Sequence, residues 1–65
     1  MSNPDREVLF EFRHAGPQVR VAAIDVESGV EVVAIAPASA TELQMKSLAL
    51  AKLRRRLAMD AAQKR

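Results

Sequence analysis

Few side chains in this 65-residue sequence are suited to catalysis or to metal binding. His14 is the only histidine, and no serine or cysteine lies near it in sequence that it would activate as a nucleophile. Asp25 and Ser28 fall in a predicted β-turn and Ser39 in a predicted helix cap, so each has a structural explanation. There is no cysteine, and the two glycines stand apart rather than in a phosphate-binding loop. We therefore predict that the protein is not an enzyme and needs no metal or cofactor.

The basic residues of the C-terminal part suggest nucleic-acid binding as an alternative function. Residues 37–65 carry seven basic and two acidic residues, whereas residues 1–36 carry three basic and six acidic ones. The candidate residues are Lys52, Arg54, Arg55 and Arg56. However, consecutive helical residues point about 100° apart, so three arginines in a row form no stripe along a phosphate backbone. The main interpretation of this segment is a solvated run of charge.

Alternating apolar residues between turn sequences predict two β-hairpins. Strands are expected at about residues 7–13, 19–25 and 30–36. With loops at residues 14–17 and 26–29, one face of the sheet is wholly apolar and includes both phenylalanines. The expected pairs on this face are Phe12–Val19, Phe10–Val21, Ala23–Val32, Val21–Ala34 and Val19–Ala36. On the other face, Glu11 is expected opposite Arg20.

The residues after Pro37 predict one long helix, from about residue 40 to residue 63. Ser39-Ala40-Thr41-Glu42 matches a capping box in which Ser39 caps the first amides and Glu42 reaches back. The sequence that follows contains no glycine or proline and is rich in helix-forming residues. The stripe expected to cover the phenylalanines consists of Leu43, Leu50, Leu53, Leu57 and Ala61. The predicted fold is therefore α+β: a three-stranded antiparallel β-meander followed by one C-terminal α-helix packed on one face (βββα), in a single domain over residues 1–65.

Length and composition set further limits. A chain of this size buries little surface, so partners or self-association are expected to contribute to its stability. No apolar run is long enough to span a membrane, and Asp5 and Glu7 stand where a signal peptide has a basic start and an apolar core. The absence of cysteine agrees with a reducing compartment. We predict a soluble cytoplasmic protein with no membrane partner.

The predicted register leaves an outward sheet face that is unusually apolar for a solvent-facing surface. Leu9, Ala22 and Val33 are expected in one row there, and the third strand is expected to be an open edge that pairs with a second copy across a two-fold axis. On the back of the helix a second, thinner apolar stripe is predicted. The predicted partner-binding residues are Leu9, Ala22, Ile24, Val33, Ile35, Met45, Leu48 and Met59.

Short segments spread over residues 5–57 carry a family resemblance. They are Asp5-Arg6-Glu7-Val8, Phe10-Glu11-Phe12, Gly16, Ala23-Ile24-Asp25, Gly29-Val30-Glu31-Val32, Ala36-Pro37 and Lys52-Leu53. Together they resemble a group of short uncharacterised alphaproteobacterial proteins that form a domain-of-unknown-function family. The resemblance implies a cytoplasmic bacterial protein and assigns no catalytic or binding residue.

These observations predict a small non-enzymatic module that self-associates or binds a protein partner. A homo-oligomer is expected, with a dimer favoured. The alternative is a nucleic-acid-binding module that uses the basic C-terminal helix.

Overall fold

The protein is described by a computed structural model that covers residues 6–63, so Asp5 lies outside the described residues. Three antiparallel strands form one sheet in the order β1-β2-β3, and one helix packs on it. The elements are β1 (Val8–Ala15), β2 (Gln18–Asp25), β3 (Glu31–Pro37) and α1 (Glu42–Gln63). The predicted βββα arrangement is confirmed, although β1 extends further than expected and α1 begins two residues later.

The β2–β3 hairpin has the predicted register: Val19 faces Ala36, Val21 faces Ala34 and Ala23 faces Val32. Its turn closes through the Gly29 N–H, which donates to the Asp25 carbonyl at 2.8 Å. Gly29 has a φ of +77°, a conformation that residues with a Cβ rarely adopt. Turn chemistry and apolar alternation therefore specify the same pairing.

The predicted register of the β1–β2 hairpin is wrong by two residues. Phe12 faces Val21 rather than Val19, and Phe10 faces Ala23 rather than Val21. The strands continue to Ala15 and Gln18, so the loop is a two-residue turn, Gly16-Pro17, instead of the four residues 14–17. Gly16 has a φ of +64°, as a type II′ turn needs at its first central position.

A shift of two residues keeps every side chain on its predicted face but changes its neighbours. Phe10 still packs against the core. On the outward face, Glu11 lies opposite Ala22 and not Arg20, and Leu9 lies opposite Ile24. The predicted row of Leu9, Ala22 and Val33 is therefore wrong, because Glu11 takes the place of Leu9.

The cap of α1 is formed by Thr41 and Gln44, so the assignment to Ser39 and Glu42 is wrong. The Gln44 N–H donates to Thr41 Oγ1 at 3.0 Å, and the Thr41 N–H donates to Gln44 Oε1 at 2.9 Å. This is a capping box displaced by two residues. Ser39 lies in the preceding turn, which the Ala40 N–H closes on the Pro37 carbonyl at 3.0 Å.

The buried face of α1 is rotated from the predicted leucine stripe. Met45, Ala49 and Leu53 are buried, and Leu50 and Leu57 pack partly against the core. Leu43 is 74% exposed and Ala61 is exposed, which corrects both assignments. Met45, predicted on the back of the helix, faces the sheet instead. Residues 45, 49 and 53 are spaced four apart and share one face of a helix, which a pattern based on leucines alone does not show.

The helix lies over β2 and β3 and leaves β1 largely uncovered. Every buried residue in the described part of the chain belongs to β2, β3 or α1, and β1 contributes only the partly buried Val8 and Phe10 to the core. Beneath α1 the sheet presents small side chains from Ala23, Ala34 and Ala36. These permit close approach, whereas the bulky β1 side chains do not. One margin of the sheet is consequently uncovered.

The displaced cap gives a direct test of the α1 start. Thr41→Ala is expected to lower the free energy of unfolding by about 1 kcal/mol, because it removes the acceptor for the Gln44 amide. Ser39→Ala, the matched control, is expected to change it by less than about 0.5 kcal/mol. Denaturant unfolding followed by circular dichroism measures both, and a larger loss in Ser39→Ala would contradict the assignment.

Candidate interaction surface

The uncovered margin forms a cleft between β1 and α1, here called the β1 cleft. Its volume is about 290 Å³. Apolar side chains dominate its walls, with two arginines alongside; the lining residues are Arg6, Val8, Phe10, Leu50, Leu53, Arg54 and Leu57. Beside it, Lys46 Nζ lies 5.7 Å from the centre of the Phe10 ring, a cation–π distance, and pairs with Glu42 at 3.2 Å. Phe12, further along β1, is 37% exposed.

The backbone of β1 is open along the side that faces away from β2. The Val26 N–H donates to the Glu7 carbonyl at 3.0 Å, which fixes the odd-numbered residues of β1 as those directed toward β2. The N–H and C=O groups of the even-numbered residues point the other way: Val8, Phe10, Phe12 and His14. Among the described residues, no hydrogen bond reaches these groups. We call them the β1 free edge.

The opposite edge, on β3, is partly occupied. The Asp25 N–H donates to the Val30 carbonyl, so the outward-directed backbone groups of β3 belong to Glu31, Val33 and Ile35. Lys52 Nζ donates a hydrogen bond to the Val33 carbonyl. The strand ends at Pro37, which has no N–H to offer. The sequence predicted this edge to be the open one, but a helix side chain covers its central acceptor.

The outward face brings together the apolar residues that were predicted to lie there. Leu9 is 48% exposed and Ile35 47% exposed, with half-buried Ile24 and Val33 between them. Ala22 lies on the same face but is almost fully buried among its neighbours. Charged side chains surround a shallow depression over Ala22 and Val33: Glu11, Arg13, Arg20 and Glu31.

One charge arrangement on this face is unfavourable within a single chain. The corrected register sets Arg13 directly opposite Arg20, and like charges facing each other across strands destabilise a sheet. The ion pairs of the described residues join Arg6 to Asp25 and Glu27, Lys46 to Glu42, and Arg56 to Asp60. None of them supplies a carboxylate to Arg13 or Arg20.

The remaining candidate residues on α1 do not form one surface. Leu48 and Met59 are exposed as predicted, but Met45 is buried in the core. Of the four basic residues, Lys52 contacts β3, Arg54 lines the β1 cleft, and Arg56 pairs with Asp60 at 3.2 Å. Arg55 is exposed. The basic side chains thus point in different directions, as consecutive helical positions require.

A buried carboxylate ties the start of β1 to the β2–β3 turn. Asp25 is fully buried, and its Oδ2 accepts hydrogen bonds from Ser28 Oγ at 2.6 Å, the Ser28 N–H at 3.1 Å and Arg6 Nη1 at 2.8 Å. Asp25 Oδ1 accepts none from the described residues. The Ser28 hydroxyl, then the Ser28 amide and the Arg6 guanidinium, hold the pKa of Asp25 below its usual value, although burial opposes them.

Sequence reasoning identified the turn role of Asp25 but missed Arg6, which lies 19 positions away. The available signal was an acidic residue, Asp25, on the predicted apolar face of β2. A carboxylate in such a position requires a partner, and Arg6 is the cation that the pairing brings nearest. The described residues contain no cluster of side chains able to hold a metal ion. Within residues 6–63, no helix has the length and apolar character needed to cross a membrane.

Comparison with known proteins adds one finding. A family described as a domain of unknown function (DUF6898) matches residues 5–60. No curated protein and no solved structure matches the chain. The match confirms the domain-of-unknown-function part of the resemblance, while the alphaproteobacterial origin stays a prediction.

Replacing the buried carboxylate is expected to have a pH-dependent effect. Because the pKa of Asp25 is lowered by folding, its ionised form stabilises the protein above the unfolded pKa of about 4 and loses this effect as pH falls through the folded pKa. Asp25→Asn should therefore lower the melting temperature at neutral pH, and its difference from wild type should shrink on acidification.

Glu27→Gln is the matched control, since the Glu27 carboxylate is exposed and lies 3.8 Å from Arg6. It is expected to change the melting temperature little at either pH. Thermal unfolding at neutral and acidic pH measures both variants. An Asp25→Asn difference that grows on acidification would contradict the assignment.

Proposed function

Because this chain belongs to the DUF6898 family, a domain of unknown function, we propose its role from its surface: it is a small non-enzymatic module that self-associates or binds a protein partner. The contact is made through the parts of the sheet that α1 leaves uncovered. These are the outward face and the margin of β1.

The observation that carries this proposal is the exposure of large apolar side chains on an unfinished sheet. Leu9 and Ile35 are each nearly half exposed on the outward face, where half-buried Ile24 and Val33 connect them, although the chain is too small to spare apolar area easily. Phe12 is exposed on the opposite face, at the margin of β1. Single exposed hydrophobes are ordinary, but adjoining ones on a sheet face are typical of an interaction surface.

The proposed contact residues follow the corrected structure. On the outward face they are Leu9, Ala22, Ile24, Val33 and Ile35, with Ala22 contributing little area. Leu48 and Met59 form a smaller secondary site on α1, from which Met45 is removed because it is buried. A dimer is the favoured assembly. The absence of cysteine and the resemblance to alphaproteobacterial proteins support a location in the bacterial cytoplasm.

Sedimentation analysis with and without nucleic acid tests this proposal against its alternative. The purified protein is studied over roughly a hundredfold range of concentration, at low and near-physiological salt. The mass is expected to rise from one chain to two with concentration, with little dependence on salt, because apolar contacts are not screened. A labelled DNA duplex is expected to bind only at low salt.

Two results would count against the proposal, the first against its self-associating form and the second against the proposal as a whole. A single-chain mass at every concentration would exclude self-association, and the protein's role would then depend on a different partner. Submicromolar duplex binding that persists at physiological salt would instead favour the nucleic-acid-binding module.

A further inference from the structure

The geometry of the two sheet edges points to a specific mode of self-association. We propose that a second copy of the chain pairs with the β1 free edge, antiparallel and across a two-fold axis at Phe12. The two sheets then form one continuous six-stranded sheet. This inference rests on the proposed function in its self-associating form and names the partner and the surface.

The backbone favours β1 over β3 as the paired edge. Four alternate residues of β1 direct unbonded N–H and C=O groups outward, from Val8 to His14. On β3 the same kind of row is interrupted at Val33, whose carbonyl accepts a hydrogen bond from Lys52. Lysine on an edge and proline at its end are two devices that prevent strand addition. At the β3 edge the lysine is Lys52, which reaches over from α1, and the proline is Pro37, the last residue of the strand; β1 contains neither residue type.

The charges on the outward face select the register of this pairing. With Phe12 on the axis, Glu11 lies opposite Arg13 of the second copy, and the symmetry makes this opposite-charge pair twice. A shift by two residues in one direction sets Glu11 against Glu11, and in the other direction it sets Arg13 against Arg13. Both shifts place like charges face to face on the axis, so the register with Phe12 on the axis is preferred.

The same register offsets part of the unfavourable charge arrangement seen in the single chain. Arg13 faces Arg20 on one side and forms no ion pair with a carboxylate of the described residues. Glu11 of the second copy occupies the other side of Arg13. The order across the interface becomes Arg20, Arg13 and then Glu11 of the second copy, so that one carboxylate offsets one of the two facing positive charges.

The core face supports the axis position independently. Phe12 is 37% exposed at the uncovered margin, where α1 leaves room. On the axis, its ring meets Phe12 of the second copy, and both lose contact with water. Phe10 lies opposite His14 of the second copy on the same face.

Charge reversal and its restoration test the register. Glu11→Arg alone and Arg13→Glu alone each convert both symmetric pairs into repulsive ones, so each is expected to weaken the dimer about tenfold or more. The double variant Glu11→Arg/Arg13→Glu restores opposite charges and is expected to return the dissociation constant to within about threefold of wild type. Sedimentation equilibrium measures these constants.

Folding and association are separable in the Arg13→Glu variant. Arg13→Glu places a carboxylate opposite Arg20 within the chain, so the monomer is expected to be at least as stable as wild type. Thermal unfolding at low concentration verifies this. Glu31→Arg is the matched control: it makes the same charge reversal on the same sheet face, at the β3 edge, and is expected to leave the dimer unchanged.

The outcomes distinguish this inference from the proposed function. If the charge variants have no effect on the dimer and Val33→Lys dissociates it, the second copy lies on the outward face. This result would overturn the β1 pairing and retain the proposed function. A double variant that fails to recover would overturn the register. A strong effect of Glu31→Arg would assign the contact to β3. A wild type that is monomeric throughout would overturn the β1 pairing and the self-associating form of the proposed function.

Discussion

The architecture depends on a difference in side-chain size across the core face of the sheet. β2 and β3 present Ala23, Ala34 and Ala36, and α1 approaches them closely enough that Ala49 has no exposed surface. β1 presents phenylalanines at the corresponding positions, and they keep the helix from spreading over that strand. The helix therefore covers two strands of three. The β1 cleft and the partial exposure of Phe12 are consequences of that offset. So is the contrast between the two edge strands, because among the described residues a lysine side chain of α1 donates a hydrogen bond to the β3 edge and none donates to the β1 edge.

Although β1 contributes little to the buried core, it is held at both ends. The Gly16-Pro17 turn joins it to β2 with no spare residue, and the Arg6–Asp25–Ser28 hydrogen bonds fix its start against the β2–β3 turn. Hydrogen bonds to β2 run along the whole strand between these points. The open edge is thus presented by an ordered strand, which reduces the entropy lost when another strand pairs with it.

The sequence predicts the faces of this fold better than its contacts. The β2–β3 register was correct because Gly29 and the apolar alternation agree, and the β1 faces were correct because an error of two residues preserves alternation. For the same reason, alternation could not reveal the loop length. Two overlapping capping boxes made the start of α1 ambiguous, and counting leucines hid the buried face centred on Ala49. The outward residues were assigned to the correct face, although their predicted row was wrong. The offset of α1 depends on packing in three dimensions, and the contrast between the β1 and β3 edges depends on that offset.

Amide hydrogen exchange in β1, measured by NMR at low and high protein concentration, tests the pairing of the β1 free edge most directly. The amides of Glu11 and Arg13 bond to β2 and serve as internal references that are protected at both concentrations. The amides of Phe10, Phe12 and His14 are predicted to exchange rapidly in dilute solution and to become protected as the dimer forms. Rapid exchange of these three amides at a concentration where the protein is dimeric would contradict the pairing.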